Sequence, residues 1–280
     1  MTRLHIVHRT SFTYERTVSA SYNEARMRPA NLPGQTVLES KVQATPCTYA
    51  SEYRDYWGST VTAIEILTPH EELAVVSECR VELSPTVRPS TGATWETLRA
   101  PDLRDRMSEF LATTATTAAD PELRELAHDV LVDLPPEAAG EAICRAVRDE
   151  MEYVPGVTGV HTRAAEAWET RKGVCQDLAH LAAGALRGVG IPTRYVSGYL
   201  HPLTSNAQIG VGVTGESHAW VEFWCGDWYG FDPTNRIAVD THHVVVARGR
   251  EYGDVTPMRG VYAGGGASTQ QVEVRITQEA

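Results

Sequence analysis

Polar and apolar residues alternate through the first ninety positions. In Leu4-His5-Ile6-Val7-His8 and in Val61-Thr62-Ala63-Ile64-Glu65-Ile66, β-branched and other apolar residues recur in a roughly alternating order. That period puts one set of side chains on each face of a strand. Leu73-Ala74-Val75-Val76 and Cys79-Arg80-Val81-Glu82-Leu83 continue the pattern, and Asn31-Leu32-Pro33-Gly34 and Trp57-Gly58 punctuate it. One buried and one wet face is the signature of an antiparallel sheet. Residues 1–90 are therefore predicted to form an all-β, sandwich-like N-terminal domain with no evident chemistry.

The period then changes. Pro85 to Thr94 is rich in Pro, Ser, Thr and Gly and reads as a linker. Helical spacing dominates from 96 to 150. Asp120-Pro121-Glu122 is an N-cap with Pro at the first helical position, followed by Leu123, Leu126, Ala127, Val130 and Leu131. A further helix is predicted from about Pro136 to Met151. Cys175 opens a third, with apolar positions 178, 181, 182, 185 and 186, and Gly188, Gly190 and Pro192 end it. Strands follow at Thr193–Leu200, His218–Trp224 and Trp228–Asp232, with late strands at Val244–Ala247 and Val272–Ile276. This order predicts an α+β chain of three parts: a β-rich domain at 1–90, a helical connector at 91–140, and a core at 141–280 that includes the C-terminal strands.

Composition narrows the function classes. The 280 residues are 42% hydrophobic and 22% charged, ordinary for a globular chain with a sizeable core. A net charge of −11 disfavours nonspecific binding to nucleic acid or an anionic membrane. Lys41 and Lys172 are the only lysines, so arginine carries nearly all the positive charge. The N-terminus has no apolar signal core, and no run approaches the roughly 18 apolar residues of a spanning helix. The five cysteines, at 47, 79, 144, 175 and 225, are odd in number, scattered and without a CxxC. That argues against a zinc site or a disulfide framework, and free thiols fit a reducing, cytoplasmic setting. No cofactor or metal is expected, and nothing in the sequence fixes an oligomeric state. His242-His243 and the His5/His8 pair lack companion ligands, and Gly264-Gly265-Gly266 lacks the following Lys-Ser/Thr of a phosphate loop.

Three residues carry candidate chemistry. Cys175 stands at a helix start after Gly173-Val174, where unpaired N–H groups and the dipole favour an anion. His218 shares a strand face with Trp220, Glu222 and Trp224. Asp232 precedes Pro233, which holds it extended. The last two sit on consecutive strands joined at Trp224-Cys225-Gly226-Asp227-Trp228. A three-residue loop, 225–227, sets Trp224 opposite Trp228 and puts His218 diagonal to Asp232 on one face, ~7–8 Å apart along the backbone. A two-residue loop puts them on opposite faces. A Cys-His-Asp acyl-transfer site therefore requires the odd loop, with Gly226 as its left-handed residue.

The segments Thr170-Arg171-Lys172-Gly173-Val174-Cys175-Gln176-Asp177-Leu178-Ala179-His180, Gly190-Ile191-Pro192-Thr193-Arg194-Tyr195-Val196-Ser197-Gly198-Tyr199, His218-Ala219-Trp220-Val221-Glu222 and Phe231-Asp232-Pro233-Thr234-Asn235 together resemble the bacterial transglutaminase-like superfamily. The resemblance covers about residues 140–250, and the first 90 residues resemble the N-terminal domain that often precedes this core. It implies a papain-like α+β core with the Cys-bearing helix packed on an antiparallel sheet. It also implies Cys175 as nucleophile, His218 as general base and then acid, and Asp232 as orienting group. Tyr153, 22 residues upstream, matches the family's aromatic oxyanion donor, alongside the Cys175 N–H. Trp220 is expected to wall the cleft, and Glu216 is a weaker substrate-binding candidate. His180 is expected to tune or pack. The implied activity is acyl transfer at amide bonds through a thioester, with hydrolysis of a peptide or protein substrate favoured. Transfer to an amine and a non-catalytic interaction module on the same fold are the alternatives.

Overall fold

The alternating segments form strands and the 3.6-period segments form helices. Five strands come first: β1 (Thr2–Ala25), β2 (Gln35–Thr45), β3 (Tyr49–Arg54), β4 (Thr60–Ile66) and β5 (His70–Leu83). Five helices follow: α1 (Trp95–Arg99), α2 (Pro101–Arg106), α3 (Ser108–Leu111), α4 (Pro121–Val130) and α5 (Pro136–Asp149). β6 (Glu152–Tyr153), α6 (Ala164–Thr170) and β7 (Lys172–Gly173) lead to α7 (Cys175–Gly188). Then come β8 (Thr193–Leu200), β9 (Gly212–Gly215), β10 (Ser217–Trp224), β11 (Trp228–Asp232), β12 (Ile237–Ala238) and β13 (His243–Gly249). The order closes with α8 (Tyr252–Val255), β14 (Met258–Gly264) and β15 (Ser268–Gln278). The computed structural model describes residues 1–85, 92–202, 209–215 and 217–280, so most of the expected linker lies outside the described residues.

β1 organises the first sheet. Its first half pairs with β5 on one side and β15 on the other, and its second half pairs with β4 and β14. Hydrogen-bonded pairing connects both halves of β1 into one eight-stranded sheet. The register shifts between Thr13 and Val18, and Tyr14, Val18, Ile64, Ile66, Leu73 and Val75 form a core of their own. β14 and β15 correct the sequence reading. The sequence places them with the C-terminal core, yet they pair along β1. Alternation identifies a strand but does not name its partner.

The second sheet has the order β12-β11-β10-β8-β13 and is antiparallel throughout. α7 packs on it through Leu178, Leu181, Ala182, Ala185 and Leu186, against Tyr195, Ala219, Val221 and Phe223. The sequence predicts one apolar face for α7, but the helix is buried all round from Asp177 to Arg187. Its other face is Ala179, Ala183 and Gly184, small enough for α4, α5 and α6 to close over it. The connector helices thus belong to the core, with Leu98, Leu103, Leu123 and Ala127 in the same apolar cluster. Arg187 is buried too. Its guanidinium donates to the carbonyls of Thr193 (2.8 Å) and Arg250 (2.6 Å) and to Thr117 Oγ1 (3.0 Å). Burial pulls its pKa down to about 10, and these acceptors offset the cost of keeping a cation there.

Leu4, Ile6, Cys79, Val81, Val274 and Ile276 of the first sheet share one apolar cluster with α7. Buried polar bonds fasten the joint. His8 Nδ1 and the Tyr199 hydroxyl are 2.9 Å apart. The Gln35 side chain both donates to the Val245 carbonyl and accepts from the Val245 N–H, each at 2.8 Å. Among the described residues, no helix is long and apolar enough to cross a membrane.

A Cβ at Gly184 would collide with the carbonyl oxygen of Thr117, a backbone atom that cannot swing aside. Gly184→Ala is expected to destabilise the protein by about 1–3 kcal/mol despite its higher helix propensity. Urea denaturation measures this.

Candidate active site

Cys175 is the first residue of α7, and its position depends on the turn before it. Asp177 folds back so that Oδ2 accepts the Val174 N–H at 2.8 Å and the Thr158 hydroxyl at 2.6 Å. The carboxylate satisfies an N–H that the helix cannot. Burial pushes the Asp177 pKa up, against these two bonds. A Cβ on Gly173 would sit 2.7 Å from Asp177 Cβ, so this turn needs glycine at 173. β6 runs parallel to β7 with Tyr153 opposite Gly173, two residues before the sulfur.

The β10–β11 hairpin meets the geometric condition set by the sequence. Trp224 lies opposite Trp228 and Val221 opposite Phe231, and Gly226 takes the left-handed conformation at φ 110°. His218 and Asp232 consequently share a face, with Nε2 2.8 Å from Asp232 Oδ2. His218 and Cys175 line one cleft, and with Nε2 committed to the carboxylate, Nδ1 is the nitrogen left for the sulfur.

Asp232 has no exposed surface. Oδ2 also accepts from Asn235 Nδ2 at 2.7 Å and faces His243 Nε2 at 3.3 Å, while Oδ1 accepts the Asn235 N–H at 3.2 Å. Burial alone would raise its pKa, but His218, His243 and Asn235 outweigh it and hold the carboxyl far below the usual carboxylate range. His243 Nδ1 lies 3.3 Å from the Asp240 nitrogen and 3.4 Å from Asp240 Oδ1, which fixes the ring with Nε2 facing Asp232. His218 shows the converse balance. Burial disfavours its charge, but hydrogen bonds to Asp232 and Cys175 and the charges of both raise its pKa to about 10.

The site opens into a cleft of about 530 Å³ lined by Cys175, His218 and Tyr153, with Tyr195, Ser197, Tyr252 and Val272 among the other walls. Tyr153 thus stands in the same cleft as the sulfur. Trp220 does not. It is wholly buried between Val196 and Val245, its ring 6.1 Å from His218 and 5.3 Å from His243. The reading of Trp220 as a cleft wall is corrected, because Leu32 and Val239 cover that face of the sheet. Glu216 lies outside the described residues. His180 packs behind the site, accepting the Tyr252 N–H at 3.0 Å, and burial and then the Arg187 charge hold its pKa near 3.

The sequence assigns no role here to His243, Asn235 or β15. Asn235 lies three residues after Asp232 with no local signal of its own, the His242-His243 pair suggests at most a metal ligand, and nothing local links β13 to Asp232.

Comparison with known proteins agrees with this architecture. A model of the bacterial transglutaminase-like N-terminal region matches residues 4–82, and one of the transglutaminase-like superfamily matches residues 124–233. An uncharacterized protein of Mycobacterium leprae is 41% identical over 279 residues, covering 99% of each chain. Another from Mycobacterium tuberculosis is 32% identical over 278 residues, 92% of this chain and 87% of its own. Among solved structures, a candidate cysteine protease of Cytophaga hutchinsonii aligns with a TM-score of 0.79 at 19% identity, over 100% of this chain and 91% of that one. At that identity the likeness is one of fold.

Asp232→Asn removes the charge that holds His218 protonated, so the His218 titration should fall from about 10, as followed by imidazole NMR. Stability should follow the pair. A raised folded pKa stabilises fully below the ordinary value, 6.5 for His218, and that gain is lost as pH rises through about 10. Asp232 contributes above its ordinary value of 3.8 and loses that contribution in acid. The deficit of the variant in urea denaturation should therefore be greatest between 3.8 and 6.5 and shrink above pH 10.

Proposed function

Because the chain belongs to the transglutaminase-like superfamily, we propose that it is a cysteine hydrolase of peptide or other amide bonds, with Cys175, His218 and Asp232 as its working residues. One observation carries this reading: His218, hydrogen-bonded to a buried carboxylate, lines one cleft with the sulfur at a helix start. At neutral pH a ring with a pKa of about 10 is an imidazolium, and a cation beside a sulfur favours the thiolate.

The steps follow from that charge arrangement. The Cys175 sulfur attacks the amide carbonyl carbon, and the carbonyl oxygen takes the negative charge. The Cys175 N–H at the helix terminus is aimed to bond that oxygen, and the Tyr153 hydroxyl is the second donor in this reading. His218 then gives its proton to the leaving nitrogen as the C–N bond breaks, and a thioester remains. Water attacks the thioester, His218 accepts its proton, and the acid leaves as the sulfur is released. Asp232 keeps its negative charge throughout and orients the ring. Cys175 and His218 both retain some exposure, so water has access to the thioester. That access favours hydrolysis over transfer to an amine. All five cysteines are free, which supports a reducing, cytoplasmic setting.

Limited iodoacetamide at neutral pH should modify Cys175 ahead of the more exposed Cys47. Peptide mapping by mass spectrometry reads this, and equal labelling of the two would sink the nucleophile assignment. Product analysis on a panel of peptides, glutamine peptides included, with added amine then separates cleavage from cross-linking. Cross-linked product without cleavage would replace hydrolysis by transamidation. Tyr153→Phe should lower kcat on the order of 10²-fold with KM little changed, the signature of a lost oxyanion donor.

A further inference from the structure

The open edge of the first sheet runs along the cleft. β15 has β1 on one side from Ser268 to Gln278. On its other side β9 covers only Val274 to Thr277. From Ser268 to Glu273 that side carries no strand among the described residues, and all six residues are exposed. Gln270, Val272 and Val274 line the cleft with Cys175 and His218. Gln270 and Val272 also line an adjoining hollow of about 680 Å³, with Val160, Ser217 and Tyr252.

The backbone polarity of this edge follows from its bonds to β1. In an antiparallel ladder, a residue that turns both N–H and C=O toward one neighbour alternates with one that turns both away. Glu279 donates to the Arg3 carbonyl and Ala267 accepts from the Glu15 N–H, so odd positions of β15 face β1. Even positions face the other side, and the Gln278 carbonyl does accept the Gly210 N–H there. Gln270 and Val272 therefore hold two N–H donors and two carbonyl acceptors toward the open side. Such an edge pairs with extended chain. β9 already pairs with this edge one step further along, and the chain passes from β9 into the His218-bearing β10.

We propose that an extended stretch of the polypeptide substrate docks as an added strand on Gln270–Val272, in line with β9, and so brings its amide carbonyl to Cys175. This deepens the function proposed above and rests on it. The occupant is polypeptide because only a repeating backbone matches alternate donor and acceptor pairs. The edge is held in place relative to the sulfur, because the Gln35–Val245 and His8–Tyr199 bonds tie its sheet to the core.

Docking is read without chemistry in a Cys175→Ala background, using fluorescein-labelled β-casein as an unfolded polypeptide probe. Saturable binding by anisotropy is expected, with slowed hydrogen exchange in the 268–273 stretch. Val272→Pro removes one outward N–H at an edge where proline is tolerated. It should weaken binding by about tenfold or more, roughly the worth of one backbone hydrogen bond to the probe. Val272→Thr keeps that N–H and should bind as the parent does. The proposal falls if casein fails to bind, if it binds without protecting 268–273, or if Val272→Pro binds like the parent. Should Val272→Pro melt early, the exchange result on the parent decides. Selective alkylation of Cys175 in the native chain tests the nucleophile separately, so docking and chemistry can fail independently.

Discussion

A carboxylate without exposed surface must find its donors inside the protein, and Asp232 is that group here. Its two oxygens take hydrogen bonds from the side chains of His218, His243 and Asn235 and from one backbone N–H. Each donor lowers the cost of a buried negative charge. Without them the carboxyl would take up a proton, and His218 would lose the charge that keeps its own proton on the ring. The loop after Asp232 is pinned from α5, where Arg148 donates to the Thr234 carbonyl at 3.1 Å and Arg145 to the Arg236 carbonyl at 2.7 Å. Helix, loop and three strands thus converge on one ionised group, and the ring beside the sulfur inherits its orientation from that convergence.

The same face of the sheet shows how a second buried charge is handled. Glu222, four residues beyond His218, pairs with Arg194 on the adjacent β8 and with Arg248 on β13 one strand further. Burial disfavours its ionised form, but the two arginines outweigh that and keep its pKa low. Burial in turn draws Arg194 down to about 10. The strand that carries His218 is therefore locked to β8 by charge as well as by its ladder, and by charge alone to β13 beyond it. Removing one member of such a set costs more than the set contributes, since it strands a buried charge. This is a rigid mount for the His218 ring.

What the sequence revealed, it revealed where the information is local. At 224–228 strand period and turn geometry narrow the hairpin to two loop lengths, only one of which puts His218 and Asp232 on one face, and the structure has that one. The start of α7 was visible in Gly173, Cys175 and the apolar spacing after them. What stayed hidden depends on distant partners. Trp220 shares the face of His218 in any strand reading, but only the placement of Leu32, Val239 and Val245 decides that it is sealed under the site. His243 reaches Asp232 from the far edge strand of the sheet. The pairing of β15 with β1 joins residues more than 250 positions apart, and no local period encodes such a contact.

That last pairing changes what the N-terminal sheet is for. Had the C-terminal strands stayed with the core, the first 90 residues would be a separate body and the sulfur would open on one side to solvent. Instead the chain returns from the core, past Tyr252 and Pro257, and lays its final strand against its first. The side chains of Val272 and Val274 then face Cys175 from the opposite wall. The cleft is therefore a joint between two sheets, and its width is set by the buried contacts that hold them together. Among these, the Tyr199 hydroxyl bonds His8, whose pKa burial depresses to about 4. A neutral ring can share a hydrogen bond with a phenol in an apolar joint, and a charged one there would have to be paired. The joint is built to stay uncharged at neutral pH while the site beside it holds an ion pair, and this separation lets one small interface be both rigid and reactive.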